Sequence, residues 1–155
     1  MKFFVLAGRI LFSLIFLQSI LSLFSAGAIH YAASKNVPMP TVLVPIAGVL
    51  ATLGALSIIL GYKARIGAWL IVLFLIPVTI MMHNFWAATD PQMKQMQMTS
   101  FMKNVSMLGG AFLIIYFGSG PLSVDANTTV AETKSETPTG TTRVVGERSQ
   151  REQVK

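Results

Sequence analysis

Residues 61–86, running from Gly-Tyr-Lys-Ala-Arg to His-Asn-Phe-Trp, constrain this chain more than any other stretch. A tight basic turn opens it, an uncharged run follows from Ile66 to Met82, and a small polar and aromatic cluster closes it. At about 1.5 Å rise per residue, that run plus a short flank crosses a hydrocarbon core of roughly 30 Å. The stretch is therefore a membrane-spanning helix with both ends marked.

The rest of the composition agrees. Only 12% of residues are charged and 53% are hydrophobic, far from the mixture of a water-soluble domain. Seven Lys and Arg side chains (Lys2, Arg9, Lys35, Lys63, Arg65, Lys94, Lys103) stand against Asp90 alone in residues 1–121, whereas residues 122–155 hold five of each sign. Cations at the ends of apolar segments fit anionic lipid headgroups, and no basic run with interleaved aromatics points to nucleic acid. With no cysteine in the chain, disulfides, thiol chemistry and thiolate metal sites are excluded.

Four spans are expected, at about 3–24, 41–61, 66–84 and 101–118, forming an all-α antiparallel bundle, with a disordered tail over 122–155. In the first span, Gln18, Ser22 and Ser25 fall at i, i+4 and i+7, a polar stripe suited to protein neighbours. A competing interpretation takes Lys2, the apolar run and Ala26-Gly27-Ala28 as a cleavable signal; the depth of Arg9 favours a retained span. Residues 27–40, with Pro-Met-Pro, read as an exposed connection. Ala47, Ala51 and Ala55, beside Gly48 and Gly54, give the second span a small-residue face for close helix approach. Pro45 and Pro77 are tolerated or bend their helices. The four-residue turn at 62–65 makes spans two and three antiparallel neighbours, and Lys63 and Arg65, with Lys2 and Arg9, place that end and both termini in the cytoplasm. Residues 84–98, broken by Thr-Asp-Pro, read as an amphipathic interfacial segment before the last span, whose Gly109-Gly110 pair serves close packing.

Several residues carry candidate chemistry. On a helix, Thr79, His83 and Trp86 fall at i, i+4 and i+7 and share one face at the end of the third span, and with Asn84 they offer polar groups beside apolar walls, a place for a ligand carbonyl or headgroup. An interfacial aromatic anchor is the plainer account. Arg9 either snorkels to the surface or pairs inside the bundle, and Gln18 lies on the same span. Haem held by His30 and His83 lacks a second pair of helical histidines. Met93, Met96 and Met98 form an M-x-x-M-x-M pattern of soft ligands that can select Cu(I), or simply adaptable apolar contacts. No nucleophile with its base, phosphate-binding glycine loop or carboxylate pair is visible, which favours a chain with no activity of its own.

Gly8 to Phe16, Gly61 to Trp69, His83-Asn84-Phe85-Trp86, and Phe101 to Asn104 leading to Gly109-Gly110 together resemble the DoxX-like integral membrane protein family. The resemblance implies a four-helix protein of the bacterial inner membrane, in some cases a small subunit of a quinone-linked or thiol-linked redox complex. Many relatives have an intramembrane glutamate where Ala51 stands here. The expectation is then a non-catalytic subunit of a redox assembly, with membrane or redox protein partners, that contacts quinone or lipid. The alternative is a small transporter or metal-handling protein using the methionines.

Overall fold

A computed structural model describes residues 2–23 and 25–126. They form five α-helices, α1 Lys2–Leu23, α2 Ala26–Ser34, α3 Pro40–Leu60, α4 Ala64–Met82 and α5 Pro91–Phe117, with a 3-10 turn at Phe85–Ala87 between α4 and α5. There is no strand among the described residues. Three segments, Pro40–Leu60, Ala64–Ala87 and Pro91–Phe117, are long and apolar enough to cross a membrane. The chain is an all-α membrane protein.

The turn between α3 and α4 is built from left-handed backbone. Gly61 at φ 66° ends α3, and Lys63 at φ 49° starts α4. The N–H groups of Gly61 and Tyr62 return to the carbonyls of Ile58 and Ser57, satisfying the end of the helix. A side chain at Gly61 would collide with the Arg9 Nη1 and the Ser123 Cβ, so both the backbone angle and the crowding require glycine there.

The two antiparallel helices meet through glycine. A Cβ on Gly54 would lie 2.8 Å from the Gly67 carbonyl oxygen, and one on Gly67 would lie 2.5 Å from Ser57 Oγ. Gly48, Ala51, Gly54, Ala55 and Ile58 of α3 are buried, as are Ala64, Gly67, Ala68 and Ile71 of α4, which is the small-residue face expected from sequence. Phe16 of α1 and Ala111 of α5 complete the core with Val72, Phe74 and Leu75. Phe16 meets Phe74 edge to face at 6.2 Å, and Phe12 fills the space over Gly110. A Cβ on Gly109 would meet nothing within 4 Å, so only Gly110 of that pair is needed for close packing among the described residues. Outside this core, Leu11, Leu53, Leu56, Ile66, Leu73, Ile80, Phe112 and Leu113 are exposed, a surface that suits lipid and not water.

Three sequence expectations change. Residues 27–40 are not merely a connection, because α2 occupies 26–34; Ser25 caps it by accepting the N–H of Ala28 at 3.2 Å, so Ala26-Gly27-Ala28 is a helical first turn. The helix that holds the expected last span starts ten residues before 101, at Pro91. Asp90 is the cap of α5, accepting the N–H of Met93 at 2.7 Å, with Pro91 in the first turn, and no breaker interrupts the helix from there to Phe117. Residues 122–126, expected in the tail, are packed against the α3–α4 turn, where the Leu122 carbonyl accepts from Arg9 Nη2 at 2.6 Å and the Gly61 carbonyl accepts from the Asp125 N–H at 3.2 Å. The remainder of the expected tail, 127–155, lies outside the described residues.

Candidate functional site

The polar residues gather at the end where α4 stops. The helix ends at Met82, and His83 leaves it with φ −118° and ψ 45°. Thr79, His83 and Trp86 therefore do not share one helix face as the spacing implied. Thr79 is buried and donates its hydroxyl proton to its own helix at the Leu75 carbonyl, 2.6 Å away. Trp86, on the 3-10 turn, is exposed and stacks edge-on with Phe85 and Phe101 at 5.2 and 6.0 Å.

His83 turns elsewhere. Its Nδ1 lies 3.0 Å from Oε1 of Gln97 on α5, and Gln97 Nε2 donates to the Tyr31 hydroxyl on α2 at 2.9 Å. Tyr31 in turn donates to the Met82 carbonyl at 3.3 Å. One hydrogen-bonded line thus ties α2, the end of α4 and α5. Beside it, Lys35 Nζ donates to Asn84 Oδ1 at 3.0 Å and lies 5.7 Å from the centre of the Tyr31 ring.

Gln97, which the sequence placed in an interfacial segment, is 4% exposed. Its signal was present: Gln97, Asn104 and Ala111, the buried residues of α5, recur every seven positions. The stripe was obscured because splitting the helix near 98 separated Gln97 from the other two.

Below this line opens a cavity of about 280 Å³ between α2, α3 and α4. Its wall is apolar, with Val44, Ala47 and Leu50 from α3, and Phe74, Pro77 and Val78 from α4; Tyr31 and His83 supply the polar edge. Its size is just under the roughly 300 Å³ at which small-molecule sites usually begin. Pro77 helps create the space, since it cannot donate to the Leu73 carbonyl one turn before it.

The other candidates are dispersed. Gln18 is exposed, Ser25 belongs to the cap of α2, and the side chain of Ser22 lies outside the described ones, so the polar stripe does not face a neighbour within the chain. His30 is exposed on α2 and is not paired with His83. Met93, Met96 and Met98 are all exposed, and Met98 lies about 200° around the helix from Met96, so the three do not converge on one ion.

Arg9 does not snorkel. At the far end of the bundle it is 3% exposed, bonded to the Leu122 carbonyl, with Nε and Nη1 buried without a partner among the described residues. Close by, Asp125 accepts from the Ser119 hydroxyl and from the Lys63 N–H, at 3.1 and 3.0 Å to its two oxygens. The Ser119 hydrogen bond first, then that of the Lys63 backbone, holds the Asp125 carboxyl below the usual carboxylate range.

Comparison with known proteins corrects the family expected from sequence. The model of the SURF4 family matches residues 1–129. The chain is 32% identical over 99 residues to the inner membrane protein YphA of Escherichia coli (strain K12), a match covering 64% of this chain and 70% of that one. It is 30% identical over 77 residues to the ER-derived vesicles protein ERV29 of Saccharomyces cerevisiae (strain ATCC 204508 / S288c), covering 50% of this chain and 24% of that much longer protein. No solved structure matches the chain. These findings overturn the DoxX-like assignment and, with it, the redox assembly, its quinone and redox partners, and the alternative of a methionine-based transporter. The motifs behind the resemblance are a basic turn, small residues at helix crossings and aromatic residues at span ends. Any small multi-span bundle needs these, and none of them is specific to a reaction.

Proposed function

The chain belongs to the SURF4 family, and from that premise we propose that it is a four-span protein of the cytoplasmic membrane that acts by binding the apolar part of an amphipathic ligand between α2, α3 and α4. The single observation behind this is the cavity: an apolar chamber whose only polar edge is the Tyr31 and His83 end. Such a chamber takes an alkyl chain and leaves a small head at the hydrogen-bonding line. The relatives named for the inner membrane and for ER-derived vesicles have a membrane in common, which is where amphipathic ligands concentrate.

In this proposal α1, 22 residues long, joins the three other spans, and the cationic end with Lys2, Lys63 and Arg65 faces the cytoplasm. The polar end of the site, at Tyr31 and His83, then lies toward the outer side. The test is direct. Purified in a nonionic detergent, the chain should take up a fluorescent alkyl probe, and Ala47→Phe, which places a ring in the cavity, should weaken uptake at least about tenfold. Equal uptake by the variant would sink the proposal.

A further inference from the structure

With the Tyr31 hydroxyl donating to the Met82 carbonyl, 3.3 Å away, the hydrogen-bonded line at the cavity mouth takes one direction. Met82 contributes a carbonyl, which can only accept, so the single Tyr31 proton goes to it. The Tyr31 oxygen must then accept from Gln97, which directs the amide nitrogen of Gln97 toward Tyr31 and its carbonyl oxygen toward His83. An amide oxygen accepts only, so the neutral His83 ring carries its proton on Nδ1. Its Nε2 is left as a lone pair, with no partner among the described residues. Turning the Gln97 amide over would send the Tyr31 proton to Gln97 and leave the Met82 carbonyl without it.

Given the binding role proposed above, on which this rests, we infer that the bound amphiphile carries a neutral hydroxyl as its head, donated to His83 Nε2. The two polar residues at the edge of the cavity, His83 and Tyr31, carry acceptors: the Nε2 lone pair and the remaining lone pair of the Tyr31 oxygen. A carboxylate head would set acceptor against acceptor at both groups, and Lys35, bonded to Asn84, is not among the residues that line the cavity. An ammonium head could donate, but its charge would be buried against an apolar wall with no carboxylate in the cavity lining to pair it. A hydroxyl satisfies the lone pair and brings no charge. Leaving the imidazole lone pair unpaired beside an apolar chain is the costly arrangement that this head removes.

The experiment compares three ligands of equal chain length, octanol, octanoate and octylammonium, at about pH 8, where a free imidazole is neutral. Binding to the full chain is measured by equilibrium dialysis against protein-free micelles of the same detergent. Octanol should bind at least about tenfold more tightly than either ion, and His83→Phe, which keeps a ring but no acceptor, should reduce that preference to less than about threefold. Tyr31→Phe should reduce it as well, because the direction of the Gln97 amide is then no longer fixed. An ion bound as tightly as octanol, or a preference that survives His83→Phe, overturns the inference. Ala47→Phe separates the two levels. If it weakens all three ligands while the wild-type chain shows no preference, the cavity stands and the hydroxyl head falls. If it weakens none, or if the wild-type chain binds none, the cavity itself is wrong and both fall.

Discussion

At Lys63 the backbone is left-handed, a conformation that costs a residue with a Cβ on the order of 1–3 kcal/mol, and Asp125 helps to hold it there. The carboxylate caps the first turn of α4, where the helix dipole also favours negative charge. Its lowered pKa gives the contribution a sign. A carboxyl whose folded value is depressed stabilises the fold above the unfolded value, near 3.9, and that stabilisation is lost as pH falls through the lower folded value. The apparent Tm of the detergent-solubilised chain should therefore drop as pH falls from about 5 toward 3, whereas Asp125→Asn should start lower and change less over the same range. Parallel curves for the two chains would show that another group is responsible. Arg9 lies in the same knot, and its attraction to Asp125 helps explain why a guanidinium with buried, unpartnered donors is tolerated.

Between elements, what matters most is how closely α3 and α4 approach. Gly67 leaves room for Ser57 and for the backbone of Gly54, so Gly67→Leu should force the helices apart and cost about 1–3 kcal/mol or more of unfolding free energy in a denaturant titration. Gly109→Leu is the matched control, since Gly109 has open space around it and a leucine has the better helix propensity; stability should be unchanged or higher. Equal losses at both sites would mean that helix approach is not the cause. The α3–α4 pair was legible in the sequence because all its signals are local: uncharged runs, a glycine at the turn and small residues at four-residue steps. Spans expected at about 41–61 and 66–84 are observed at Pro40–Leu60 and Ala64–Met82. α2 was not legible, because nine residues carry too little periodicity and the start depends on one serine cap. Nor was the site. His83 was named for its place in sequence, but its partners come from α2 and α5, and no short-range pattern joins positions 31, 83 and 97.

Across the whole molecule, the two polar clusters mark opposite ends of the bundle. The knot of Arg9, Gly61, Leu122 and Asp125 ties the start of α1, the α3–α4 turn and the chain after α5. The line through His83, Gln97 and Tyr31 ties the other end. Between them the exterior is apolar, and the proposed four-span arrangement puts the two ends at the two aqueous boundaries of one bilayer. The cations at that end, Lys2, Lys63 and Arg65 with Arg9, then predict its side. Because the chain has no cysteine, an introduced cysteine is its sole thiol, and a membrane-impermeant maleimide reports exposure without background. His30→Cys and Thr89→Cys, at the His83 end, should label in intact cells, whereas Lys63→Cys and Val124→Cys should label only after the membrane is opened. The reverse pattern would invert the orientation and turn the cavity mouth toward the cytoplasm. Labelling of positions 63 and 89 from the same side would mean that α4 does not cross, and the separation of the two clusters by a bilayer would then fail.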